Sequence, residues 1–85
     1  MKTEVGQVVR SIAGHDNGSL LMVVAQQDGY VMLCDGKERR LEKPKRKNVR
    51  HIAHTGMRLD PTKTATNRSL KKALAQLQRD EATEV

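Results

Sequence analysis

The side chains of this chain best equipped for chemistry are cations. Residues 37–50 hold eight of them (Lys37, Arg39, Arg40, Lys43, Lys45, Arg46, Lys47 and Arg50) against two carboxylates, Glu38 and Glu42. The remaining residues carry eight basic and eight acidic groups, so this one segment accounts for the whole formal charge of +6. Guanidinium and ammonium groups at this density suit phosphate oxygens, and the chemistry they fit is docking on a polyanion. With six to eight of them engaged on RNA, log K would fall with log salt at a slope on the order of −5 to −7.

Other reactive types are sparse. His51, His54 and Cys34 are all metal-ligand types, but residues three apart on a strand point to opposite faces, and a single cysteine with no other close His or Cys completes no zinc set. No metal or cofactor is expected. His51 beside Arg50 reads as part of the basic surface, and Cys34 as a small apolar filler. Ser11, His15 and Asp16 lie close in sequence. Nucleophilic catalysis, however, needs a base oriented by a third group inside a pocket, and a domain this small has little interior for one. The chain has neither a P-loop nor a paired-carboxylate arrangement, so it reads as neither an enzyme nor a small-molecule binder.

Composition narrows the partner further. Tyr30 is the only aromatic residue, with no Phe or Trp, whereas readers of single strands stack bases on aromatic rings. Tyr30 itself reads as a barrel-wall residue. Recognition therefore has to use phosphates, 2′-hydroxyls and the shape of folded RNA. A lone thiol excludes an intrachain disulfide framework and fits a reducing cytosol. The longest apolar run, residues 20–25, is too short for a bilayer span or a signal-peptide core. These features predict a soluble cytoplasmic protein without a membrane partner.

The elements that must position the cations read as mainly β. Strands are expected over residues 5–13, 20–26 and 30–34, with a tight turn at Gln27-Asp28-Gly29 and another hairpin signal at Asp35-Gly36. A fourth strand is expected over residues 38–42, followed by a charged loop over 43–47 that contains Pro44, and a short fifth strand over 48–54. Five short strands with closely spaced turns predict a small barrel, which removes exposed edges. Residues 55–66 are polar and aperiodic and read as a linker between a barrel at residues 1–54 and a helix at residues 67–80. In that helix Leu70, Ala73, Leu74 and Leu77 share one face, with Thr66 or Asn67 as cap and Arg68, Lys71, Lys72 and Arg79 on wetter faces. A helix of this length is marginal alone, so it either packs on the barrel or docks on nucleic acid or protein.

The spacing Gly6-x-Val8-Val9, then Ala13-Gly14-x-Asp16-x-Gly18, Val23-Val24 and Asp35-Gly36 resembles the KOW motif over about residues 4–54. The likeness is to KOW-type proteins of the large ribosomal subunit and their small bacterial relatives, the KOW-domain RNA-binding proteins. It implies an SH3-like five-stranded β-barrel whose first loop, here Gly14, His15, Asp16, Asn17 and Gly18, contacts RNA or a protein. Many ribosomal members carry lysine after the second glycine, where this chain has Ser19. The turn then sets placement, and affinity falls to the basic segment. The expected partner is structured ribosomal RNA, in a ribosome-associated or assembly role. The alternative is a protein-interaction module of the transcription or translation machinery, although such a face would carry aromatic or aliphatic anchors rather than dense positive charge.

Overall fold

A computed structural model of the chain describes residues 4–14 and 18–83. The strands are β1 (Gln7–Ser11), β2 (Leu20–Gln27), β3 (Tyr30–Cys34), β4 (Lys45–Asn48) and β5 (Ile52–Arg58), and one helix, α1 (Asn67–Thr83), follows. They form a single antiparallel sheet in the order β4-β3-β2-β1-β5. The chain meanders from β1 to β4, makes a 3₁₀ turn over Val49–His51, and returns as β5 along the free side of β1. A short meander whose last strand returns to its first is the topology of a small SH3-like barrel. The molecule is mainly β, with the expected C-terminal helix.

Strand β2 explains how so few residues make a core. Its LLMVV run shows no polar alternation because both faces of the sheet are covered. Val9, Leu21, Val23, Val31, Leu33 and Ile52 pack together on the barrel side. Val8, Leu20, Met22 and Cys34 pack on the opposite side with Leu70 and Leu74 of α1, and Leu77 joins them half-buried. Each fully buried aliphatic side chain contributes about 1.5–3 kcal/mol of apolar transfer energy, and that burial gives a marginal helix its partner. Thr66 caps α1 reciprocally: its Oγ1 accepts from the Ser69 amide at 3.1 Å, and its own amide donates to Ser69 Oγ at 3.2 Å. Cys34 is the expected filler. Burial first, and then the charges of Asp35 and Glu42, push its thiol up to about 11.

The fourth strand differs from expectation. Residues 38–42 form no strand, and β4 instead occupies residues that charge and proline assigned to a loop. Asp35 is the cause. Its Oδ1 accepts from the amides of Lys37 and Arg39, both at 2.8 Å, while the Arg39 carbonyl accepts from the amides of Asp35 and Gly36. The chain is thus closed into a compact turn before it can extend. The strand starts directly after Pro44, where no ladder donor is lost. Its like charges are tolerated because β4 is an edge and alternation sends Arg46 to one face and Lys45 and Lys47 to the other.

The fifth strand also lies later than expected, and the barrel boundary after residue 54 falls inside β5. Asn48 diverts the chain first, since its Oδ1 accepts from the Arg50 amide at 2.9 Å and starts the 3₁₀ turn. A bulge then hides the rest of the strand. Val9 pairs with His54 but Gln7 with Arg58, leaving extra residues in β5 around 55–57. Thr55 Oγ1 mends the ladder there, donating to the Val8 carbonyl at 2.7 Å and accepting from the Met57 amide at 3.1 Å. Beyond β5 the expected linker shrinks to residues 59–66. Much of it is a turn in which Asp60 accepts from the Thr62 amide and hydroxyl, bonds that hold the Asp60 carboxyl below its ordinary range. Thr64 is buried against Met22.

Candidate nucleic-acid interface

The turn between β1 and β2 is held at both shoulders by cations from elsewhere in the chain. On one side, Lys47 Nζ donates to Ser11 Oγ at 2.6 Å and to the Ala13 carbonyl at 2.8 Å. Ser11 Oγ in turn donates to the same carbonyl at 3.0 Å. On the other side, Arg10 Nη1 donates to the Gly18 carbonyl at 2.6 Å. Gly14 and Gly18 both sit at positive φ, +77° and +90°, as a turn that must leave one strand and re-enter its neighbour requires. His15, Asp16 and Asn17, the remaining candidates in this turn, lie outside the described residues.

The basic segment is divided by the fold. Lys37, Arg40 and Lys43 are exposed on the loop over residues 35–44, with Arg39 half-buried among them. Arg46 is exposed on β4, its guanidinium 4.6 Å from the centre of the Tyr30 ring. That stacking places Tyr30, 39% exposed, on the outer surface at the start of β3. Lys45 is half-buried at the strand start, and Arg50 and His51 are exposed on the 3₁₀ turn. Lys47 departs from its expected role. It is 8% exposed, and its ammonium, buried against Ser11 and Ala13, ties edge strand β4 to the end of β1. A hydroxyl 2.6 Å from a lysine is also the pairing of a nucleophile and its base. Ser11, however, is fully buried and already donates to Ala13, so the pair is a strut.

Register decides which loops share an end of the sheet. Met22 pairs with Cys34 and Arg10 with Leu20, so the β1–β2 turn and the 35–44 loop leave the sheet at the same end. Helix α1 joins them there. Asn67 Oδ1 accepts from the Leu41 amide at 2.8 Å, and Asn67 Nδ2 donates to Glu42 Oε1 at 2.7 Å. The Asn67 contact, the carboxylate's own backbone bond and Arg40 hold the Glu42 carboxyl below its ordinary range. Gly36 lies so close to the helix that a Cβ there would stand 2.2 Å from the Asn67 carbonyl oxygen. A groove of about 480 Å³ runs between loop and helix, lined by Lys37, Lys71 and Arg79 as well as Asp35 and Glu38.

The arrangement gathers Lys37, Arg39, Arg40, Lys43 and Lys45 around one end of the barrel, beside Gly14 and Gly18; Arg46 and Arg50 lie farther along β4 and the 3₁₀ turn. Two residues that shape this candidate site escape a reading of charge and motif. Arg10 braces the turn, and its only signal is a lone cation within an apolar strand. Asn67 holds the basic loop, and it reads simply as a helix cap until the tertiary contact is seen. Among the described residues, no three His, Cys, Asp or Glu side chains are grouped to hold a metal ion, and no helix is long and apolar enough to cross a membrane. No protein-family model matches the chain, and no curated protein matches it either.

Proposed function

We propose that this chain is an RNA-binding protein of KOW type that docks on structured RNA, ribosomal RNA above all, as a ribosome-associated or assembly component. The observation that carries the reading is the confinement of the whole charge excess to residues 37–50, on a loop and edge strand next to a glycine-bounded turn. The KOW-like spacing of residues 4–54 and the SH3-like topology support it. Phosphate contacts supply the affinity, and backbone donors of the turn orient the domain. A single aromatic, already stacked under Arg46, leaves little for reading unpaired bases.

A protein-interaction role draws less support. The exposed large apolar residues among those described are Val5, Ile12 and Tyr30, few beside the cations of residues 37–50. Crosslinking in cells followed by sequencing of attached RNA tests the reading, with ribosomal RNA as the expected product. Co-sedimentation with ribosomal subunits at low salt, lost at high salt, is the expected companion result. Recovery of protein partners without RNA would refute it.

A further inference from the structure

The loop over residues 38–45 curls around a hollow of about 510 Å³, with Arg39, Arg40, Lys43 and Lys45 on its walls. Two carboxylates share those walls: Glu42 Oε1 accepts from Asn67 and its Oε2 lies 4.0 Å from Arg40 Nη1, an exposed pair that a phosphate has to displace. The loop does not rely on its cations for shape. Its Leu41 amide is bound by Asn67, its Arg40 carbonyl accepts from Cys34 Sγ at 3.4 Å, and Gly36 is pressed against the first turn of α1. Like-charged side chains would otherwise spread apart. Here the backbone beneath them is fixed by groups that are not cations.

We infer that this hollow is a preformed site for one phosphodiester of an RNA backbone, with Asn67 as the positioning residue that keeps it open for the anion. The inference rests on the RNA-binding reading and adds to it a distinction among cations. A diffuse basic face would value each exposed cation alike, because screened charge acts without geometry. A preorganised site concentrates value in the cations that converge on one anion, since the ordering cost is already met by the fold.

The test uses the full chain and an RNA stem-loop as probe, with affinity read by fluorescence anisotropy. Two double variants remove equal charge: R40Q/K43Q within the hollow and R46Q/R50Q outside it. The site predicts that the first pair weakens binding about tenfold more than the second, the scale of a lost charge-assisted phosphate contact. Asn67→Ala, which changes no charge, is expected to weaken binding several-fold. Equal losses from the two double variants would overturn the inference and leave the RNA-binding reading standing. A wild-type chain that fails to bind the stem-loop would overturn both. If Asn67→Ala unfolds the domain, as thermal melting would reveal, the comparison of the two double variants decides alone.

Discussion

Lys47 shows how one residue changes meaning between sequence and structure. In the chain it is one cation in a run; in the fold it is a buried tie whose ammonium meets Ser11 and Ala13. Only the pairing of Lys47 with Val31 reveals this, because that register turns the side chain to the barrel side. Lys47→Met keeps the aliphatic stem but gives up the charged hydrogen bonds, at a cost of about 2 kcal/mol. That corresponds to a melting point lower by roughly 10 °C for a domain of this size, with RNA affinity close to wild type. Arg46→Gln is expected to do the reverse, lowering affinity and leaving the melting point nearly unchanged. Differential scanning calorimetry and anisotropy on the two variants check the pair. Cys34 makes a second prediction at this scale. Its thiol is raised from 9.0 to about 11, so the folded state holds a proton that the unfolded state releases earlier. Its contribution to stability is complete below pH 9 and is lost as pH rises toward about 11. Alkylation by iodoacetamide at pH 8 should therefore proceed only as fast as the protein opens.

Among the elements, the clasp between the 35–44 loop and α1 is the junction on which the candidate site depends. Gly36 and Gly29 have nearly the same backbone angle, φ +79° and +76°, but a Cβ at Gly29 would meet nothing within 4 Å. Gly29→Ala should therefore cost only the positive-φ strain, about 1 kcal/mol. Gly36→Ala adds a collision with the helix backbone, where neither partner is a flexible side chain. A loss of about 3 kcal/mol or more is expected, and it should be visible as earlier melting of the helical circular-dichroism signal. Nearly equal melting points for the two variants would mean that helix and loop are not in close contact. The same elements show where a sequence stays legible. Strands β2 and β3 and the start of α1 follow from apolar runs, Gly-containing turns and a capping threonine, which are local signals. Strand β4 was hidden because an Asx turn at Asp35 and a tertiary bond from Asn67 hold residues 35–42 out of strand geometry. The end of β5 was hidden because the bulge at residues 55–57 erases the period of two, and the compensating bond from Thr55 goes to the carbonyl of Val8, far off in the chain.

For the whole molecule, the question is how many of the eight cations between residues 37 and 50 act at once. Taken as one run, all eight would engage phosphates, and the slope of log K against log salt would be about −6 to −7. The fold removes Lys47 to the interior and leaves Lys37, Arg40, Lys43, Arg46 and Arg50 exposed. With Arg40 and Lys43 sharing the one phosphodiester of the hollow, these five cations make four phosphate contacts, which correspond to a slope of about −3 to −4. The folded shape, more than the net charge of +6, therefore limits the salt sensitivity. Titrating an RNA stem-loop at several potassium chloride concentrations measures the slope directly, and Lys47→Met should not change it. A slope steeper than this by about one, and falling back by about one in the Lys47→Met variant, would mean that Lys47 leaves Ser11 and Ala13 to join the RNA. The barrel would then loosen its β4 edge on binding, and stability gained from RNA would be offset by the strut it gives up.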